Sequence, residues 1–328
     1  MLRRTFLASA AAFAASPALA AEPRIALFDA AVYMSSPNTQ RYPRGGAGSE
    51  AQGGMPRATN PATSTSTNRL VVPAEQLLQW MLELDIDRIA AVQNQTLYGF
   101  DNTYLLDSAE IYPAQISPVV IIDATRKDSA MFLRNIVASR GVAAIRLEGV
   151  MASDGSFPWI ASDQAFDIWQ VAVETGIVLD LLYLPDTHSR AALRAIVALA
   201  EKFPSVRMSL DHMGWPRKEG APAFGIDAEY AKVAQHKNIY FKFTSVNIDD
   251  LAGENVPVDQ FLLRAAQILG ADHLMWGSDL GADSEPYAQL VARGRAAATL
   301  LSPDDQQKVM HDTGRGFYIR GGLPTSLP

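Results

Sequence analysis

Short apolar runs alternate with amphipathic stretches from about residue 25 onward, and the alternation predicts a repeated strand–helix fold. Strand patterns fall at Ile25–Ala30, Arg88–Gln93, Ile116–Ile122, Ala143–Leu147, Ile177–Leu182, Val206–Leu210, Ile239–Phe243 and His273–Trp276. The run Ile116–Ile122 is almost continuously apolar, as a strand covered on both faces is. Helical periodicity fills the intervals. It covers Ala74–Leu84 after Pro73, Ser129–Ser139 before Gly141, Gln164–Thr175 before Gly176, Arg190–Lys202 before a Phe-Pro break, and Val258–Leu269 before Gly270. Eight strand patterns, most followed by a helix or a long connection, predict an α/β fold with its parallel sheet closed into a (β/α)8 TIM barrel. An open doubly wound sheet is the competing arrangement. No Gly-x-Gly-x-x-Gly or Walker sequence follows any strand to support it.

One stretch breaks the rhythm. Ser35–Arg69 is rich in Gly, Ser, Thr, Asn and Pro and has no period. A connection of this length inside a compact domain is a functional loop or a disordered insertion. After the first strand of a barrel it lies over the mouth, so a substrate lid is expected there, with Arg41-Tyr42-Pro43-Arg44 as its most chemically useful part.

Composition narrows the class. The chain has 328 residues, 48% of them hydrophobic, a formal charge of -7 and no cysteine. Disulfides, thiolate nucleophiles and zinc–thiolate sites are thereby excluded, and the mild acidity without a basic stripe argues against nucleic acid. The N-terminus reads as an export signal: Arg3-Arg4 before Thr5-Phe6-Leu7 in the twin-arginine manner, an Ala-rich apolar run, and Ala18-Leu19-Ala20 as a small-x-small cleavage site. Residues 1–20 are expected to be removed, leaving 21–328 as a single periplasmic catalytic domain with the long β1 loop 35–69 and no membrane attachment.

Chemistry in a barrel of this kind sits at the C-terminal strand ends. Those positions carry Ala31 and Tyr33, Gln93 and Asn94, Asp123, Arg146 and Glu148, Asp180 and Tyr183, His212, Lys242 and Thr244, and Asp279. Arg146 suits a substrate carboxylate or a polarised carbonyl, because its planar fork donates two parallel hydrogen bonds. Its competing role is an ion pair with Glu148 or Asp180. Lys242 is a second cation available to a developing oxyanion, set against a role in a buried ion pair. His236, His273 and His311 have no clustered partners, and His188 sits on the loop after the fifth strand.

Several of these stretches together resemble the amidohydrolase superfamily, in its amidohydrolase-2-type, lactonase-like branch. They are Phe28-Asp29-Ala30, Gly99-Phe100-Asp101-Asn102-Thr103-Tyr104-Leu105-Leu106, Ala144-Ile145-Arg146-Leu147, Leu210-Asp211-His212-Met213-Gly214, Ile239-Tyr240-Phe241-Lys242 and Trp276-Gly277-Ser278-Asp279. The resemblance implies that Asp279 moves a proton to or from the hydrolytic water and that His212 contacts the substrate carbonyl or leaving oxygen. Arg146, Tyr33, Lys242, Asn94 and Tyr183 are then the expected substrate contacts.

The departure is in the first motif, where metal-dependent members carry Asp-x-His-x-His and this chain has Ala31 and Tyr33 at the two imidazole positions. A phenol with a pKa near ~10 is a poor ligand at neutral pH, and His212 with Asp279 falls short of three ligands. The expectation is a metal-independent hydrolase or isomerase acting on a small lactone or carboxylated ring, with no cofactor. Two alternatives stay open. One is a binding barrel that has lost catalysis with its metal. The other is an enzyme using one divalent metal, such as zinc, in a rearranged site of His212, Asp279, Glu148 and Asp180.

Overall fold

The computed structural model describes residues 25–44, 70–184, 189–282 and 284–319. The export signal, most of the expected lid and His188 lie outside them. Eight parallel strands form one sheet in sequence order: β1 (Leu27–Tyr33), β2 (Ile86–Val92), β3 (Ile116–Ile121), β4 (Ala144–Gly149), β5 (Val178–Tyr183), β6 (Met208–Leu210), β7 (Ile239–Thr244) and β8 (Leu274–Gly277). The last strand returns to the first. Tyr33 N donates to Leu280 O at 2.8 Å, and a parallel bridge joins Val32 to Leu280. The fold is a (β/α)8 TIM barrel.

Alternation along each strand sorts side chains into two layers. Ile145 and Leu147, Leu179 and Leu181, and Phe241 and Phe243 face outward into the large core beneath the helices. Phe28, Ala30, Ala90, Val92, Val119, Ile121, Ala144, Val178 and Met275 face inward as a smaller cluster, with Phe317 and Tyr318 packed on it. Those two aromatic rings come from the last described helix, Thr313–Tyr318, and Tyr318 stacks on Phe28 with ring centroids 5.8 Å apart. They floor the barrel. On the same inward faces, one step toward the mouth, stand Arg146, Asp180, Ser209 and Lys242. A register shift between Asp29 and Val32 interrupts the alternation in β1, so Val32 joins the outer core while Tyr33 turns inward to Arg146.

The five expected helices form within a residue or two of their patterns, as Ala74–Glu83, Ser129–Arg140, Asp163–Thr175, Ser189–Lys202 and Val258–Leu269. Ser162 caps one of them, accepting from Ala165 N at 3.1 Å, and Gly176 ends it at φ +69°, a conformation that costs a side chain but not glycine. The first strand begins and ends later than its pattern, at Leu27 and Tyr33, because pairing with β2 resumes at Val32 and Tyr33 after the register shift. The connections also hold the short helices Gln95–Tyr98 and Pro158–Ala161, each 4 residues and too brief to show a period. Among the described residues no helix is long and apolar enough to cross a membrane.

Candidate active site

Four charged side chains meet inside the barrel. Lys242 Nζ lies 2.5 Å from Asp180 Oδ2 and 3.0 Å from Asp211 Oδ1, and Arg146 Nη2 pairs with Asp211 Oδ2. All four are at most 2% exposed. Ser209 Oγ donates to Asp180 at 2.6 Å, and Tyr318 hydroxyl donates to the same carboxylate at 2.8 Å from Oδ1. Two cations balance two carboxylates, which is the condition under which buried charges persist. Burial works against the Arg146 charge, but Asp211, Tyr33 and Asp180 outweigh it and keep the guanidinium protonated. Burial likewise opposes ionisation of Asp211, and Arg146 and Lys242 overcome it, so this carboxyl stays below the usual range.

The turn after β6 carries His212 on an unusual backbone. Its residues His212, Met213, Gly214 and Trp215 all have positive φ, at 51°, 60°, 66° and 55°. Such conformations cost non-glycine residues on the order of 1–2 kcal/mol each, and neighbours hold them in place. Tyr183 hydroxyl donates to Gly214 O at 2.9 Å, Tyr230 hydroxyl to Met213 O at 2.9 Å, and Asn247 Nδ2 to His212 O at 3.0 Å. Glycine is favoured at 214, since its φ is positive and an added Cβ would come 2.9 Å from the Tyr183 oxygen. The turn sets the His212 ring over β7, with Nδ1 2.7 Å from Thr244 Oγ1 and Trp215 beside it at 4.7 Å between ring centroids. Burial lowers the His212 pKa, so the ring is neutral at pH 7.

Asp279 follows β8 with φ +56° and is 3% exposed. Ser245 Oγ donates to its Oδ2 at 3.2 Å, whereas its Oδ1 is buried without a hydrogen-bond partner. Burial raises its pKa, and the nearby His212 and the Thr244 hydroxyl pull it back. His212, Thr244 and Asp279 therefore form one contiguous polar group on the β6–β8 side of the mouth. On β4, Glu148 stands two residues beyond Arg146 on the same inward face and is half-buried.

The first strand is built differently from a metal-binding one. Asp29 is fully buried and clasps β1 to the β8 end: Oδ1 accepts from Ala31 N at 3.1 Å and Ser278 N at 2.8 Å, and Oδ2 accepts from Tyr287 hydroxyl at 2.8 Å. Burial raises its pKa to about 6. Ala31 lies against Gly277, where an added Cβ would come 2.8 Å from that of Ala31, and it offers no donor atom. Tyr33 oxygen accepts from Arg146 Nη1 at 2.8 Å, and burial raises its pKa further despite that cation, so the phenol keeps its proton. A catalytic zinc-type site takes three protein ligands. The side chains here do not make up that set, and among the described residues no group of three or more His, Asp or Glu gathers to hold a metal ion.

Of the expected site residues, the structure brings together Asp279, His212, Arg146 and Tyr33. Lys242 belongs below them, its ammonium taken up by Asp180 and Asp211 at 0% exposure, and so does not line the mouth. Tyr183 falls on the outward face of β5 and props the His212 turn instead. Asn94 begins the helix Gln95–Tyr98, its carbonyl accepting from Tyr98 N at 2.9 Å. The partner of Arg146 is neither Glu148 nor Asp180 but Asp211, which the strand alternation could have found as the inward neighbour of Ser209. His311 does have partners, Asp87 at 3.1 Å and Asp312, away from the mouth. A cavity of about 350 Å³ opens beside Trp215, but its cations are already paired, Arg190 with Asp227 and Lys218 with Asp250.

The chain belongs to the amidohydrolase family, whose model matches residues 50–319 and so begins after β1. Amidohydrolases are enzymes. No curated protein matches the chain. Among solved structures it is similar to a candidate 2-pyrone-4,6-dicarboxylic acid hydrolase from Pseudomonas putida, at 18% identity and TM-score 0.62, covering 90% of this chain and 98% of that one. It is also similar to 2,6-dihydroxybenzoate decarboxylase from Rhizobium, at 15% identity and TM-score 0.61, covering 90% and 99%. A third is dihydroxybenzoic acid decarboxylase from Polaromonas sp. JS666 with bound manganese and 2-nitroresorcinol, at 14% identity and TM-score 0.61, covering 90% and 97%. At these identities the likeness is one of fold.

Proposed function

We propose that this barrel hydrolyses the cyclic ester of a small carboxylated ring, with Asp279 as general base and without a metal ion. The observation that carries this reading is the Asp279 carboxyl itself: buried, held by one oxygen, with the other unpartnered beside a neutral His212. A carboxylate oxygen with no protein partner is available to a water within hydrogen-bond reach, which is what proton abstraction from water requires. Neighbours in the fold, a candidate pyrone-dicarboxylic acid hydrolase and a dihydroxybenzoate decarboxylase, support the substrate class.

Arg146 and Tyr33 supply the electrophilic side. Tyr33 oxygen accepts a hydrogen bond from the guanidinium, which leaves its own hydroxyl hydrogen free to donate to a substrate carbonyl oxygen. Negative charge developing on that oxygen is stabilised by the phenol and, through it, by a fixed cation. Asp279 takes a proton from water as the water oxygen bonds the carbonyl carbon. The ring C–O bond then breaks, and its oxygen leaves with a proton as the hydroxy acid forms. His212 orients the water or the ring oxygen. The same proposal assigns the activity to a mature chain 21–328 in the periplasm, a reading supported by the Arg3-Arg4 leader and the Ala18-Leu19-Ala20 cleavage pattern.

The test is turnover of a panel of carboxylated pyrones and aliphatic lactones by chelator-treated protein. Hydrolysis that survives chelation and is lost in Asp279→Asn supports the reading. Hydrolysis abolished by chelation and restored by manganese would overturn its metal-free part. Absence of hydrolysis across the panel would favour a binding protein.

A further inference from the structure

The proposed reaction needs a proton at the leaving oxygen, and Asp279 begins it as a base. Glu148 is a carboxyl at the mouth with no role so far. Three features of its placement bear on one. It lies on the inward face of β4, one step above Arg146. In a closed sheet of eight strands in sequence order, β4 and β8 are four strands apart in either direction, so Glu148 and Asp279 stand on opposite walls. Finally, Arg146 is committed elsewhere, through Nη1 to Tyr33 and through Nη2 to Asp211, so Glu148 has no dedicated counter-charge.

Resting on the hydrolase reading, we propose that Glu148 is the general acid of the reaction, giving its proton to the ring oxygen as the C–O bond breaks. The balance is that of ester hydrolysis. Asp279 takes one proton from water, the hydroxide equivalent bonds the carbonyl carbon, the ring C–O pair goes to the leaving oxygen, and the Glu148 proton joins it. The new carboxylic acid ionises, and solvent returns a proton to Glu148 while Asp279 releases its own.

The surroundings suit the role. Burial raises the Glu148 pKa to about 7, the Arg146 charge lowers it, the Asp211 carboxylate raises it, and a hydrogen bond from Gln95 lowers it. Those groups come from its own strand, from the β6 end and from the β2 connection. At neutral pH about half of the acid is protonated, and an acid of this strength is matched to its operating pH. Two carboxyls on facing walls, one poised to accept and one to donate, are a recurrent arrangement for cleaving an acetal C–O bond.

The experiment compares wild type, Glu148→Gln and Glu148→Asp on two lactones, one releasing an alkyl alkoxide and one a phenolate. Rates are followed between about pH 5 and pH 9, with melting curves to establish folding. An alkoxide needs protonation to leave and a phenolate hardly does. For E148Q we expect kcat/KM on the alkyl lactone to fall about 10²- to 10³-fold, with under ~10-fold loss on the phenol lactone. The descending alkaline limb should vanish, and E148D should recover part of the rate. If E148Q misfolds, wild type alone remains decisive, because only its alkyl-lactone profile should fall above about pH 7. Equal losses on both lactones, or a wild-type profile without that limb, would overturn the role of Glu148 and leave the hydrolase reading standing. A wild type inert toward both lactones, with folding intact, removes the reading and this inference together.

Discussion

Arg146 on β4 donates through Nη1 to the Tyr33 oxygen on β1 at 2.8 Å, bridging the barrel mouth from wall to wall. In a metal-dependent barrel the second β1 position would carry an imidazole. Here it carries a hydroxyl backed by a guanidinium, which gives an oxyanion both a proton donor and a nearby positive charge.

Removing that hydroxyl should separate chemistry from binding. Tyr33→Phe is expected to lower kcat about 10²- to 10³-fold with a small change in KM, the loss typical of one oxyanion donor. The unpaired Nη1 should cost about 1–3 kcal/mol of stability. Steady-state kinetics and chemical denaturation check the two parts. A fall in KM affinity alone would assign Tyr33 to ground-state binding.

Lys242→Met should be structurally severe although the side chain never meets substrate. It leaves Asp180 without its ion-pair partner and Asp211 with Arg146 alone in a dry interior, and breaking a buried pair this way costs about 3–5 kcal/mol. Thermal unfolding would show it. A melting point unchanged within a degree or two of wild type would mean that water enters the cluster.

Asp29 makes stability depend on acid. Its folded pKa is raised from 3.8 to about 6, so the native state binds a proton that the unfolded chain has released in this window. The stability it contributes is complete below about 3.8 and lost as pH rises through about 6. That shift corresponds to roughly 3 kcal/mol. In Asp29→Asn the slope of unfolding free energy between those limits should become smaller but not vanish, because Glu148, raised from 4.5 to about 7, and Asp279, also raised, contribute with the same sign. Urea titrations across the window measure it.

Gly214→Ala tests the strained turn. The new Cβ meets the Tyr183 oxygen and sits at φ +66°, so the turn must shift and His212 with it. The expected result is a loss of about 1–3 kcal/mol in stability and a larger fractional loss in kcat than Tyr183→Phe produces. Equal rates in the two variants would show that the backbone of the turn does not position His212.

The barrel was legible because its period is. Ile116–Ile121 has no polar residue but Ser117, and Val258–Leu269 buries Phe261, Leu262, Ala265 and Leu269 at helical spacing. The order of motifs likewise put His212 and Asp279 just after the ends of β6 and β8, where the structure has them. What alternation alone could not give was pairing. Lys242 and Arg146 are equivalent on paper, two cations on inward strand faces. The structure separates them by depth, since β7 carries its lysine beside Asp180 while β4 lifts its arginine to Tyr33. Tyr183 was placed at the mouth because it ends a strand, but its odd position from Asp180 turns it outward. Nor could local pattern announce Tyr318, which reaches Asp180 from 138 residues away.

That long reach has a consequence for how the molecule is made. The floor ring and one of the donors to the central carboxylate arrive with the final described helix, after all eight strands have been laid down. A chain shortened to end before Thr313 would close its wall around an acid missing a proton donor and a base left open to water. Assembly of the charged interior is therefore a late event in synthesis, and C-terminal deletions should yield a swollen, poorly packed barrel instead of a smaller native one.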